Sequence, residues 1–231
     1  QPSVAGMLKL AVPQDLYPRS TKVAAQIPAS YDPRHGALGK CVHPVLDQGA
    51  CGSCWAFGSS EALSDRYCFQ SNGTVDVVLS PQSLVSCDYL SMGCNGGSLQ
   101  PTWWYLEQWG IPTEECFPYT SGENGDVPAC AETCVDGSQP VYYKAKADSM
   151  RTYILNNTYI MSGLLDGLME ASMMVMGDFM NYQGGVYQWV SGWPQGGHAI
   201  KIVGWGTDQA TGLDYWLCQN SWGPGMCYIF S

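Results

Sequence analysis

Eleven cysteines in 231 residues constrain this chain more than any other feature. They are spread through a sequence that also holds 27 glycines and 14 prolines, a composition that reads as a disulfide scaffold in an oxidising compartment. The odd count leaves at least one thiol outside any intramolecular pairing. The length allows one large domain or two lobes that share a cleft, and 45% apolar residues support a real core. Charged residues are only 13%, and the net charge is −10. That balance argues against nucleic acid and anionic membranes as partners. No apolar run reaches membrane-spanning length. Sequons at Asn72 and Asn156 fit a secretory route.

Residues 1–26 carry scattered prolines without a core pattern and read as an extended leader. Proline at 28 and 33 then predicts an extended entry segment. A helix is expected to begin near Cys54 with Ser53 as N-cap, and its apolar residues on several sides predict burial. Ser80-Pro81 is a second helix start, Pro101–Trp109 stopped by Gly110 a third, and Tyr159–Leu165 a fourth. Glycine-separated strand-like runs follow at 171–176, 186–190, 198–203, 215–219 and 228–230. Helices followed by strands predict an α+β arrangement, with a mainly helical unit over 27–112 and a mainly β unit over 113–231.

The chemistry centres on Cys54. A thiol at a helix N-terminus gains thiolate character from free N–H groups and the helix dipole. The chain has three histidines. His35 and His43 fall in the turn-rich entry and are expected to be surface or loop residues. His198 follows Gly196-Gly197 and opens an apolar strand, a suitable mouth for a cleft. Asn220 is a residue type that can orient an imidazole, with Trp222 to shield the bond. Gln48, six residues before Cys54, can supply an oxyanion donor beside the Cys54 N–H. Cys51-x-x-Cys54 also admits a redox pair, and the cysteines admit a zinc site, but Cys-x-x-Cys does not recur and no second histidine accompanies His198. Trp103, Trp104 and Trp109 are expected to pack rather than to bind a ligand, and the methionines at 169, 173, 174 and 176 to fill core.

Gln48-Gly49-Ala50-Cys51-Gly52-Ser53-Cys54-Trp55-Ala56-Phe57 resembles the active-site signature of papain-like cysteine peptidases. His198 falls inside the roughly 130–150-residue interval expected for the base, and Asn220 slightly beyond it. Gly93-Cys94-Asn95-Gly96-Gly97, Gly196-Gly197-His198-Ala199 and Asn220-Ser221-Trp222-Gly223 extend the match over residues 27–223. Ile27-Pro28-Ala29-Ser30-Tyr31-Asp32, Ala62-Leu63-Ser64-Asp65-Arg66 and the cysteine layout resemble the cathepsin B branch. The resemblance implies a two-lobe fold, helical on the left and barrel-like antiparallel β on the right, with a cleft between them. It implies Cys54, His198, Asn220 and Gln48 as catalytic residues, and Gly96, Gly97 and Trp222 as substrate-binding ones. It also implies the disulfides Cys41–Cys68, Cys51–Cys94, Cys87–Cys130 and Cys116–Cys134, leaving Cys218 and Cys227 unassigned. Residues 1–26 would be the tail of a propeptide.

No metal or cofactor is expected. Implied partners are peptide substrates, the propeptide and cystatin-like inhibitors, in a secreted or lysosome-like setting. Two departures from the branch qualify these implications. The segment between Cys116 and Cys134 lacks the paired histidines of an occluding loop, which predicts endopeptidase rather than dipeptide-removing activity. The chain stops at Ser231, where relatives continue through more β-structure, so weak activity or a non-catalytic peptide-binding role is the rival expectation.

Overall fold

In a computed structural model, residues 27–154, 156–223 and 227–230 are described, with side chains up to 223. The proposed leader and the Cys227 side chain lie outside them. The helices are α1 (Cys54–Gln70), α2 (Pro81–Cys87), α3 (Leu99–Gln108) and α4 (Asn157–Leu165). The strands are β1 (Met169–Met176), β2 (Val186–Tyr187), β3 (Pro194–Thr207), β4 (Asp214–Gln219) and β5 (Cys227–Phe230). The expected helices precede the sheet in the expected order.

The ends obey capping chemistry in two cases and depart from it in a third. Ser80 Oγ accepts from Ser83 N, and Asn156 Oδ1 accepts from Tyr159 N. Ser53 does not cap α1 with its side chain; its Oγ lies 2.8 Å from Tyr119 Oη instead. Helix α3 begins two residues before Pro101, since proline is tolerated throughout a first turn whose N–H groups lack intrahelical acceptors.

Helix α1 is buried nearly all round, and it packs on α2, α3, β1 and β3. Its serines survive this burial by bonding to the preceding turn, as in Ser59 Oγ to Trp55 O at 2.7 Å and Ser64 Oγ to Ser60 O at 2.7 Å. On one side Trp55 and Leu63 join Leu84, Leu106 and Ile111 in a helical core. On the other, the sheet carries its own clusters: Leu164, Ile200, Ile202 and Trp205, and Leu168, Val203 and Leu217.

Strand order is β1-β3-β4-β5-β2, antiparallel except for the parallel β2–β5 edge pair. Strand β3 is the spine. It pairs with β1 with His198 opposite Met173, and with β4 through a bulge between Ile202 and Gly204. The entry segment straps this bulge, exchanging backbone hydrogen bonds between Tyr31 and Trp205. A Cβ on Gly204 would fall 2.0 Å from Tyr31 O, so glycine is required there.

The four implied disulfides are all formed, and all lie between residues 41 and 134. Cys54 is a free thiol, and Cys218 is buried in the sheet.

Candidate active site

Each site residue is placed by the fold in a recognisable way. Cys54 is the first residue of α1, and the disulfide of Cys51 to Cys94 precedes it. The Cys51 pairing excludes the redox-pair reading of Cys51-x-x-Cys54. The backbone N–H groups of Ala199 and Trp55 lie near enough to the Cys54 sulfur to favour its thiolate. Ala199 directly follows His198, so the thiol faces the histidine's stretch of β3 across the cleft. His198 sits mid-strand rather than at the strand's start, because β3 begins at Pro194. Gly196 and Gly197 have open space where a Cβ would project, so access in front of the imidazole is preserved.

His198 Nε2 lies 2.6 Å from Asn220 Oδ1. The same oxygen accepts from Ser221 N at 2.7 Å, which identifies it as the acceptor and makes Nε2 the protonated nitrogen. Nδ1 is thereby left as the nitrogen available to a reacting thiol. Trp222 covers the imidazole at a ring-centroid distance of 4.8 Å. Asn220 and His198 are both buried.

Gln48 arrives from the other side of the cleft. Its backbone N donates to Ser221 O at 2.8 Å, and its Oε1 accepts from Ser221 Oγ at 2.6 Å. The next antiparallel bridge, Asp47 to Trp222, extends this seam. The seam joins the segment before Cys54 to the segment that holds Asn220. The amide Nε2 of Gln48 donates to Cys51 O at 2.9 Å. Ser221 and Tyr119 are placed at the site by the fold, and neither residue type signals by itself a role beside Gln48. Tyr119 Oη donates to Gln48 O at 2.8 Å.

Gly96 has positive φ and an open face, whereas a Cβ on Gly97 would meet the Trp55 ring at 2.5 Å. That close approach to Trp55 lays the Gly96-Gly97 backbone at the rim of α1's first turn.

Electrostatically, burial is the largest influence on both reacting groups. It pushes the Cys54 thiol up and the His198 imidazole down. N–H groups on the sulfur and the Asn220 bond on the imidazole oppose those shifts. Glu170 of β1 lies close by, with Oε2 accepting from Trp103 Nε1 at 2.7 Å. Its Oε1 is buried and finds no partner among the described residues. Burial pushes its carboxyl well above the usual range, against the opposing Trp103 bond.

Behind the cleft lies a charged cluster. His43, in a loop as expected, is half-buried, with Nδ1 2.6 Å from Asp65 Oδ1 and Nε2 2.9 Å from Asp76 Oδ1. Two carboxylates on two ring nitrogens require an imidazolium, and its pKa is raised, chiefly by the Asp65 bond. Fully buried Lys201 lies 2.6 Å from Asp65 and 3.6 Å from Glu61, joining β3 to α1. The expected core-filling role fails for Met174, which is exposed, while Trp104 and Trp109 pack ring against ring and stay partly exposed. The sequence signal for Lys201 was a charge inside an otherwise apolar strand. Among the described residues no cluster of His, Cys, Asp and Glu has metal-ligand geometry.

Comparison with known proteins decides the family, because residues 27–227 match the papain family cysteine proteases. The chain is a member of that family. It is 44% identical over 209 residues to "Cathepsin B-like CP3" of Giardia intestinalis, covering 90% of this chain and 69% of the relative. "Cathepsin B-like CP2" of the same organism is 43% identical, covering 86% and 65%. The chain therefore spans about two-thirds of these relatives' length. Among solved structures, procathepsin B S9 from Trypanosoma congolense superposes with a TM-score of 0.78 at 32% identity, covering 92% of this chain and 75% of that one. A Carica candamarcensis cysteine protease gives 0.67 at 30%, covering 88% and 89%. The papain-like α+β fold expected from the motifs is thus found in both.

Proposed function

We propose that this chain hydrolyses internal peptide bonds, with Cys54 as nucleophile and His198 as acid and base. The observation that carries the reading is the 2.6 Å His198–Asn220 bond, set opposite a free thiol at a helix start. The Cys54 sulfur forms a bond to the scissile carbonyl carbon while its proton rests on His198. The resulting oxyanion takes hydrogen bonds from the Cys54 N–H and from Gln48 Nε2, which turns from Cys51 O to do so. The C–N bond then breaks as His198 protonates the leaving amine. Water cleaves the thioester, giving its proton to His198 and releasing the acid. Asn220 keeps Nε2–H oriented throughout, and Trp222 keeps water off that bond. Gly96 and Gly97 offer backbone hydrogen bonds to the acyl half of the substrate.

Desolvation alone favours the neutral thiol and imidazole, so the ion pair must draw on mutual attraction and the helix N-terminus. This specific feature supports a second reading, a peptide-binding protein of low turnover. The segment closed by Cys116–Cys134 brings no histidine to the cleft, which supports endopeptidase over dipeptide-removing action. A blocked internal peptide is expected to be cleaved faster than a peptide with a free carboxylate two residues past the scissile bond. The reverse order would refute the endopeptidase reading, and failure to cleave either would favour the binding reading.

Four disulfides fit folding in the secretory pathway and service in a secreted or lysosome-like compartment. Peptides, a propeptide segment and cystatin-like inhibitors are the partners that such a cleft takes.

A further inference from the structure

The turn from Gln48 to Ser53 belongs to no helix or strand. Its backbone must nevertheless hold still while the Gln48 amide leaves Cys51 O for an oxyanion. Three ties secure it. Gln48 N donates to Ser221 O, and Cys51 is bonded to Cys94. The third tie is the segment 119–122, which lies inside the loop closed by Cys116–Cys134. Tyr119 Oη donates to Gln48 O at 2.8 Å, and Ala50 N donates to Gly122 O at 2.8 Å. Gly49 has a φ of +57°, and a Cβ there would fall 2.3 Å from Gly122 O, so the two segments touch backbone to backbone.

Tyr119 also reaches the nucleophile's helix. With its single proton committed to Gln48 O, Oη accepts from Ser53 Oγ at 2.8 Å, and Ser53 immediately precedes Cys54. The rings of Tyr119 and Phe57, a residue of the first turn of α1, meet T-shaped at a centroid distance of 4.7 Å. Burial pushes the Tyr119 hydroxyl up, which keeps its proton in place. The segment itself is firmly seated. Glu114 Oε1 accepts from Tyr119 N at 2.7 Å, and buried Gln82 of α2 accepts from Thr120 N at 2.8 Å and from Ser121 N at 3.0 Å. One hydroxyl therefore bridges the residue before the nucleophile and the residue that supplies the oxyanion donor.

We propose that Tyr119 is a positioning residue of the oxyanion site, its hydroxyl setting the spacing between the Gln48 amide and the Cys54 backbone N–H. The proposal rests on the peptidase reading of the same cleft. Tyr119 acts through Gln48 rather than on the reacting atoms. Both donors must reach one oxygen when the tetrahedral intermediate forms, and a misplacement of about 1 Å can cost on the order of 10²-fold in rate.

The test uses Tyr119→Phe, which keeps the ring and removes only the hydroxyl, with circular dichroism checking the fold. For a blocked internal peptide, kcat is expected to fall about ten-fold with KM little changed, less than the roughly 10²–10³-fold lost with a direct oxyanion donor. A peptide aldehyde takes the Cys54 sulfur at its carbonyl carbon with no leaving group, and the thiol proton passes to the new hydroxyl, whose oxygen occupies the oxyanion site. Its affinity is expected to weaken by the same factor as kcat. Alkylation of Cys54 by iodoacetamide develops no oxyanion and should keep its rate and pH profile. In the Gln48→Ala background the same substitution is expected to cost less than about two-fold, because the group it positions is gone. A full loss in that background, an unchanged kcat in Tyr119→Phe, or an aldehyde affinity and an alkylation rate that fall together overturns the proposal and leaves the peptidase reading standing. An unaltered chain that neither cleaves the peptide nor takes up the aldehyde refutes the peptidase reading, and the proposal with it.

Discussion

The two halves of the molecule are held by different means. The stretch from residue 41 to 134, which carries Cys54 and the first three helices, is crossed by all four disulfides. The sheet, which carries His198 and Asn220, is crossed by none of these four bonds and buries Cys218. It depends on the β1-β3-β4 ladder, on the Tyr31 strap and on the buried contact of Lys201 with α1. The comparison teaches that the nucleophile's position is fixed covalently, while the base is delivered to it by hydrogen bonds and charge. The seam through Gln48 and Ser221 is where the two regimes meet.

Removing either reacting group should give the largest effect. Cys54→Ala and His198→Ala are each expected to lower kcat/KM for a peptide by about 10⁴-fold or more. Both should leave far-ultraviolet circular dichroism unchanged, and substantial residual turnover in either would break the proposed division of roles.

Lys201→Met should show how the sheet half is fastened. It strips a buried cation from Asp65 and Glu61, a change of the kind that costs ~3–5 kcal/mol. Urea unfolding should register that loss. Loss of the Cys87–Cys130 bond through the paired alanine variant is expected to cost about 4 kcal/mol. Hydrogen exchange distinguishes the two: the disulfide variant should lose protection first in α2 and its neighbours, the Lys201 variant first in β3. The opposite pattern would overturn the comparison.

Ser221→Ala tests the seam itself. It removes the hydroxyl that fixes Gln48 Oε1 and is expected to reduce kcat about ten-fold with KM little changed. An equal fall in stability and rate would mark Ser221 as structural only.

The smallest effect is on pH dependence. Burial raises Glu61 to about 7, and the Asp65 bond raises the pKa of His43. A group whose pKa is raised on folding contributes stability that is complete below its unfolded pKa and lost as pH rises through the folded one. The protein should therefore be more stable near pH 5 than near pH 7.5 by thermal unfolding. Glu61→Gln should flatten that slope, and a steeper slope in the variant would contradict the assignment.

Much of this site was legible in the sequence because its chemistry needs particular residue types in order. Cys54, His198, Asn220 and Gln48 were named from motif and spacing, and the structure brings Asn220 to His198 and Ser221 to Gln48. The helix start at Ser80 was readable from local capping, whereas α4 begins at Asn157, two residues ahead of the expected Tyr159, because Asn156 caps it. The buried cluster was not: nothing local to His43 reveals that Asp65 and Asp76 close on it from 22 and 33 residues away. The exposure of Met174 was missed for a similar reason, since an apolar residue does not state which neighbours will cover it. Ser53 looked like a cap, but the Tyr119 hydroxyl claimed its side chain.

The central claim is that His198 activates Cys54, and the pH dependence of Cys54 alkylation tests it most directly. The rate with iodoacetate should be high at acidic pH, where the thiolate–imidazolium pair exists, and should collapse in His198→Ala to that of an ordinary thiol titrating at alkaline pH. A single alkaline titration in the unaltered chain, indifferent to His198→Ala, would contradict the account.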